Sequence, residues 1–160
     1  MKKFTLMMWV LMMVLTGCTN QSSFDAEKLI GSWKTSETAY EDGIKIKTVI
    51  TVTFSGDKSV EFKTKYYAED IYFGSMTAKG EYKISNDKIK VNIPNSNIDI
   101  KLVRDFFDST SEYKRMVKEM REEFIKENEP WMEDKIISLT DTKMQIEDED
   151  DGLITFKKIK

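Results

Sequence analysis

The chain has 160 residues with 25 Lys and Arg, 28 Asp and Glu, and no histidine. This length suits one domain with a hydrophobic core of its own. Histidine is the commonest general base and transition-metal ligand, so its absence excludes Ser-His and Cys-His catalysis and the usual Cys/His zinc sites. Carboxylate chemistry, calcium or magnesium sites, and non-catalytic binding remain open.

The first 18 residues have the pattern of a secretory signal. Lys2 and Lys3 form a cationic start, and residues 4–15 form an apolar run interrupted only by Thr5. This run is too short to span a bilayer comfortably. It leads into Leu-Thr-Gly-Cys, so that the single cysteine of the chain, Cys18, follows two small residues.

The sequence at 15–18 resembles the lipobox of bacterial lipoproteins. The resemblance implies cleavage before Cys18, a diacylglycerol on its thiol and acylation of the new amine. Residues 1–17 are then the signal peptide, 18–23 an acylated tether and 24–160 the folded domain. Thr19 replaces the Asp that often marks inner-membrane retention, which favours the outer membrane, facing the periplasm. The alternatives are an ordinary signal peptide with an incidental cysteine, and a short membrane helix kept in the mature chain.

Removal of residues 1–17 takes away Lys2 and Lys3 and leaves 23 basic against 28 acidic residues, a net charge of −5. This balance argues against nucleic acid or anionic headgroups as the main partner. The predicted contact with the membrane is therefore through the acyl chains. The sequence predicts no cofactor.

A short helical turn is predicted at 24–29, and Gly31 and Trp33 follow it in a Gly-x-Trp motif. The order of elements resembles that of lipocalin-like (calycin) domains, in which a turn and this motif come before a first strand that leads into a meander. The resemblance implies that Trp33 opens the first strand and plugs the closed end of a barrel. Gly31 is expected to let the backbone pass close under the indole. The family's second motif, Thr-Asp-Tyr, has no counterpart in this chain.

Alternation of apolar and polar residues predicts a series of short strands joined by tight turns. Residues 44–54 alternate with a period of two, and turn residues flank them on both sides. Strands at this spacing are typical of an antiparallel sandwich or barrel. The other predicted strands lie at about 60–66, 71–84, 89–93, 98–102, 135–139, 143–147 and 153–159.

Aromatic residues are frequent on these predicted strands, and they suggest a ligand site. The long strand at 71–84 is expected to place Tyr72 and Tyr82 on one face, with glycines as bend points. Together with Tyr66 and Trp131, they suit an apolar or amphipathic ligand, or the face of a sugar. The alternative is that they only fill the core, because strands are rich in aromatic residues.

One amphipathic helix, predicted at about 109–128, interrupts the meander. Ser109 and Glu112 fit a capping box, and Pro130 stops the helix from continuing. In ordinary lipocalins the large helix comes late in the chain, whereas here strand-like segments follow it. A helix across the open end of a barrel and a helix wrapped in a curled α+β sheet both remain open.

Acidic residues are numerous, but none forms a convincing catalytic or metal site. The run at 147–152 mimics the first half of an EF-hand loop, yet Lys158 stands where the bidentate Glu belongs. Because alternating segments flank it, the run is predicted to be a hairpin tip with Asp-Gly as the turn. Carboxylate pairs such as Asp105 with Asp108 have no apolar pocket that would raise a pKa.

The sequence therefore predicts a mainly β domain, an antiparallel lipocalin-like barrel or meander with one inserted helix. The favoured function is a lipid-anchored, non-catalytic domain that binds a small apolar or amphipathic ligand. The alternative is a structural or protein-interaction module of the cell envelope with a filled core. A carboxylate enzyme, such as a glycosidase, is the third hypothesis.

Overall fold

A computed structural model describes residues 24–41, 43–127, 132–148 and 152–159 of the chain. These residues form nine strands, one α-helix and three short 3-10 turns. The helix α1, Thr110–Glu127, confirms the prediction at about 109–128. The strands are β1 Gly31–Glu41, β2 Ile44–Phe54, β3 Ser59–Ala68, β4 Ile71–Ser85, β5 Lys88–Asn92, β6 Ile98–Leu102, β7 Met132–Leu139, β8 Lys143–Asp148 and β9 Gly152–Ile159; the 3-10 turns are Ala26–Leu29, Asn95–Asn97 and Arg104–Phe106.

The strands form one antiparallel sheet that closes on itself. Its order is β3-β2-β1-β9-β8-β7-β5-β4-β6, and the pairing of β3 with β4 completes an eight-stranded barrel. Closure pairs the strand edges that an open sheet would expose. This barrel with one inserted helix confirms the predicted fold class.

The strands β5 and β6 together occupy one position in the barrel wall. Both pair with the same edge of β4, β5 with its second half and β6 with its first half. The 3-10 turn Asn95–Asn97 lies between them as an insertion. Gly80 of β4 lies opposite this insertion, where a Cβ atom would come within 2.0 Å of the Asn92 carbonyl oxygen. Only glycine leaves room for such a close approach of two backbones.

The two ends of the barrel differ. At the lower end, where β1 begins and β2 ends, the 3-10 turn Ala26–Leu29 packs its buried Leu29 against the core. The turn confirms the prediction at 24–29, and the Asp25 side chain caps it. At the upper end, α1 connects the last residue of β6 to the first residue of β7. We use "lower" and "upper" in this sense throughout.

The helix α1 packs on β6, and the sheet closes into a barrel, so the alternative of a curled α+β sheet is excluded. Ser109 caps the helix as predicted, because its Oγ accepts from the Glu112 amide at 3.1 Å. The reciprocal bond of a capping box is displaced by one residue, since Glu112 Oε2 accepts from the Asp108 amide at 2.9 Å. Five residues of its apolar face are partly buried against the core: Tyr113, Val117, Met120, Phe124 and Ile125.

A bulge near the start of β4 changes which side chains face inward. Tyr66 pairs with Gly74, but the next residue, Tyr67, pairs with Tyr72, so that Phe73 is the extra residue. A bulge shifts the alternation of the strand by one residue. Tyr72 therefore lies on the outer face against Tyr67, and the prediction that it shares a face with Tyr82 is wrong.

Candidate functional site

Inward side chains of β1, β2, β3, β4 and β6 form three stacked layers. Their exposure rises from the lower end to the upper end. The lower layer is mostly buried, the middle layer is mixed, and the upper layer is the most open. The layers are, in that strand order, Trp33, Val52, Phe62, Ala78 and Ile98; Thr35, Ile50, Thr64, Met76 and Ile100; and Glu37, Thr48, Tyr66, Gly74 and Leu102.

We call the inward residues that are partly or fully exposed toward the upper end the upper cup. It is bounded by Thr35, Glu37, Ile46, Thr48, Ile50 and Tyr66, all of which are intermediate or exposed. Its surface combines apolar side chains with the short polar side chains of threonine and the exposed carboxylate of Glu37. Small-molecule sites commonly combine apolar walls with a few polar groups in this way.

Aromatic contacts support the wall of the upper cup. Tyr66 lies 5.8 Å from Phe73, and Phe73 lies 6.2 Å from Phe106, between ring centroids. Next to them, Phe107 makes an edge-on contact with Tyr113 of α1 at 5.5 Å. Such pairs add about 0.5–1.5 kcal/mol each beyond the area that they bury. The segment between β6 and α1 is thus attached to the barrel wall at the level of Tyr66.

The predicted ligand-binding residues lie in different parts of the molecule. Tyr66 faces the upper cup, whereas Tyr72 lies on the outer wall and is 42% exposed. Tyr82 is buried at the lower end, where its hydroxyl donates to the Ser55 carbonyl at 2.9 Å and its ring contacts Phe54. The structure does not bring these three tyrosines together. Trp131 lies outside the described residues.

Trp33, which the resemblance assigned to the closed end, is fully buried at the lower end. Its Nε1 donates to the Leu29 carbonyl at 2.7 Å. The Lys158 Nζ lies 4.9 Å from the centre of the indole ring and donates to the Lys28 carbonyl at 2.9 Å. Two side chains of the barrel therefore bind the carbonyl groups of the 3-10 turn Ala26–Leu29.

Gly31 has a φ of +125°, and a Cβ atom there would lie 2.8 Å from the Lys158 Cε. The group that passes over Gly31 is thus the lysine side chain, where the sequence predicted the indole. Sequence reasoning considered Lys158 only as a misplaced residue of an EF-hand loop. No local pattern marks it, because its partners Trp33 and Lys28 lie more than 120 residues away in the sequence.

A groove lies between β1 and β9. Their ladder covers only residues 32–34 and 157–159, and above it no ladder joins the two strands in the described part of the chain. Residues Thr35 to Glu37 and Leu153 to Thr155 line a groove of about 470 Å³ there. We call this groove the β1–β9 seam.

The described residues with shifted pKa values belong mainly to ion pairs and turns of the outer wall. Lys63 and Lys79 hold the pKa of Glu61 below its usual value, and their Nζ atoms lie 2.6 Å and 3.1 Å from its carboxylate. Lys88 and Lys90 lower the pKa of Glu133 in the same way. Lys63 lies on the same strand as Glu61, and the other three lysines lie on strands next to the carboxylate that they contact. These ion pairs do not build a pair of carboxyl groups with different proton affinities.

The acidic run at 147–152 forms part of the β8–β9 hairpin. Asp148 pairs with Gly152, whose φ is +72°. Residues 149–151 lie outside the described residues, so the predicted Asp-Gly turn stays a prediction. In the described part of the chain, no group of three acidic or sulfur ligands is arranged to hold a metal ion. No helix there has the length and apolarity to cross a membrane. Cys18 and the rest of the leader lie outside the described residues.

No protein-family model matches the chain, and no curated protein matches it. Among solved structures, the chain is similar to a lipocalin-like protein from Bacteroides uniformis ATCC 8492. The identity is 18% and the TM-score 0.46, over 82% of this chain and 99% of that chain. At this identity and TM-score, the likeness carries no functional argument.

Proposed function

We propose that the chain is a lipid-anchored lipoprotein whose barrel holds a small apolar or amphipathic ligand in the upper cup, without catalysing a reaction. The observation that supports the ligand site is the gradient of burial along the barrel interior. The lower layer is filled by Trp33 and its neighbours, whereas the upper layer leaves Thr48 and Tyr66 half-exposed. A barrel of eight strands has room for either side chains or one small ligand.

The anchor rests on the lipobox-like sequence that ends in Cys18. Two or three acyl chains bind a bilayer far more strongly than the marginal binding of one chain. Thr19 favours the outer membrane, with the domain in the periplasm. Labelled palmitate fed to cells tests the anchor: it enters the protein but not the Cys18→Ser variant. Equal labelling of both chains would contradict the lipoprotein assignment.

Native mass spectrometry of the protein from cells tests the ligand site. We expect a bound apolar molecule that delipidation removes. The Thr48→Trp variant places an indole inside the cup, whereas Thr38→Trp places it on the exposed outer face of β1. Thr48→Trp is expected to lose the molecule and Thr38→Trp to keep it. A protein that is empty from cells and takes up no amphipathic dye, such as anilinonaphthalene sulfonate, would contradict the proposal.

The β1–β9 seam favours the second candidate, an interaction module of the cell envelope. Its unladdered strand edges can accept a strand from a partner, as sheet edges do in β-augmentation. Ser36→Pro removes one amide from this edge, so we expect it to weaken capture of a partner from detergent-solubilised envelope. Recovery of the same partner with Ser36→Pro and the wild type would exclude the seam as the contact.

A further inference from the structure

The outer wall near the lower end carries lysines in one lateral line across five strands. Lys63 of β3 pairs with Thr51 of β2, and Thr51 pairs with Lys34 of β1. Lys34 then pairs with Lys157 of β9, which pairs with Lys143 of β8. All four lysines are exposed. We call these four residues the lysine row.

Three members of the row are direct cross-strand neighbours of the same charge. Like charges directly opposite each other destabilise a sheet, because their Cβ atoms lie only about 4.5–5.5 Å apart. No carboxylate of the described residues lies within ion-pair distance of Lys34, Lys143 or Lys157; Lys63 alone pairs with Glu61. Packing does not explain the row, because its side chains point to solvent. An anionic partner outside the chain would offset this repulsion.

More positive charge lies beside the row. Lys47 and Lys65 stand above Lys34 and Lys63, and these four side chains line an open groove of about 540 Å³. The chain after residue 17 has a net charge of −5, yet these six lysines give one part of its outer wall a local excess of positive charge. Separate Lys-rich strands are ordinary solvated faces, but the register joins them into one cationic surface. The net charge alone conceals this surface.

The position of the row in the chain indicates which anion it meets. Lys34 is one residue from Trp33 at the lower end, where the chain enters the domain at residue 24. The proposed lipidation site, Cys18, precedes that entry by six residues. At no more than 3.3–3.6 Å per residue, they span about 20 Å at most. An acyl-anchored chain therefore keeps the lower end within about 20 Å of the membrane surface.

We infer that the lysine row docks on the anionic headgroups of the bilayer that holds the anchor, and so lays the lower wall of the barrel against the membrane. This inference rests on the proposed lipidation of Cys18. The row extends over four interstrand spacings, about 19 Å, around a curved wall. A fluid array of headgroups can follow such a curved line of charges, and a surface potential attracts each lysine within a Debye length.

Amine footprinting of the chain as cells make it, reconstituted in vesicles, tests the inference. Vesicles of phosphatidylcholine alone are compared with vesicles that contain one-third phosphatidylglycerol. Acetylation of each lysine is then followed by mass spectrometry. In the anionic vesicles, we expect the row lysines to react about fivefold more slowly, and high salt to restore their rates. Lys114 and Lys118 on the solvent face of α1 are expected to react equally in both.

A matched pair of variants checks the cause. One variant changes the row, Lys34, Lys63, Lys143 and Lys157, to Gln; the control changes Lys101, Lys114, Lys118 and Lys126 to Gln, with the same loss of charge. Orientation on anionic vesicles is read from fluorescence quenching of tryptophan by bromolipids. The row variant should lose the difference between the two vesicle types, and the control should keep it.

The outcomes separate the inference from the anchor. Equal acetylation of the row in both vesicle types, with the protein still bound, overturns docking and leaves the anchor intact. A chain that fails to float with neutral vesicles overturns the anchor, and with it the docking that rests on the anchor. Protection of the row by a soluble polyanion, such as polyglutamate, but not by anionic vesicles, would also overturn the membrane as the partner.

Discussion

Replacement of Trp33 by Phe removes the bond that ties the 3-10 turn Ala26–Leu29 to the barrel. The change deletes the Nε1 donor that lies 2.7 Å from the Leu29 carbonyl and leaves that buried oxygen without it. An unsatisfied buried group costs about 1–3 kcal/mol. The smaller ring also gives up packing and part of the attraction to the Lys158 ammonium, which is worth about 0.5–2 kcal/mol at a buried site. We expect a total loss of about 2–4 kcal/mol.

Urea unfolding of the purified protein, followed by far-ultraviolet circular dichroism, measures this loss. A thermal melt measures the same loss. For a domain of this size, 1 kcal/mol corresponds to about 3–4 °C, so the melting temperature is expected to fall by about 6–16 °C. Tyr82→Phe deletes a hydroxyl bond but keeps a buried ring, so about 1 kcal/mol is expected. Tyr40→Phe, at a residue 72% exposed, changes little. The reasoning fails if Trp33→Phe is no more destabilising than Tyr40→Phe.

Three further predictions concern backbone space, helix capping and pH. Gly80→Ala places a Cβ atom 2.0 Å from the Asn92 carbonyl and is expected to prevent soluble expression, whereas Gly56→Ala meets only the Ile30 side chain at 3.7 Å and should melt like the wild type. Ser109→Ala removes the cap of α1 and costs about 1 kcal/mol in thermal melts, with Ser111→Ala as the control. Because lysines lower the pKa of Glu61 and Glu133 in the folded state, their contribution is present above pH about 4.5 and lost as the pH falls through the lower folded values. The variant with Gln at both positions should therefore lose less free energy of unfolding than the wild type between pH 5 and pH 3. The same dependence on pH in both proteins would contradict the ion pairing.

Local patterns in the sequence were enough to predict most elements of the barrel. The alternation of apolar and polar residues identified the strands. Ser109 and Glu112, which lie three residues apart, identified the start of the helix. These features depend on neighbours in sequence, so their physical causes are visible in the chain. The position of Trp33 was also predictable, because a glycine and a short turn accompany it.

Features that depend on pairing between distant segments could not be read in the same way. The extra residue Phe73 is invisible in the sequence, yet it reverses the side of the wall on which Tyr72 lies. The joining of β5 and β6 along one edge of β4 depends on the close approach at Gly80. The lysine row exists only through the registers that join β3, β2, β1, β9 and β8, since no two of its members are close in sequence.

The two ends of the barrel differ in how completely their inward side chains are buried. At the lower end, Trp33, Tyr82 and Leu29 have almost no exposure, and their polar atoms bond to the backbone. Burial of that kind holds a barrel together, but it leaves no surface for a ligand.

In the upper layer, Thr48 and Tyr66 are only partly buried. Each Å² of apolar surface that stays exposed leaves out about 25 cal/mol of stabilising free energy. A ligand that covers this surface would recover part of that energy, so occupancy of the cup should raise stability in proportion to the logarithm of ligand concentration. Filling the cup with a side chain would stabilise the protein as well, and that gain in Thr48→Trp would coincide with the loss of binding.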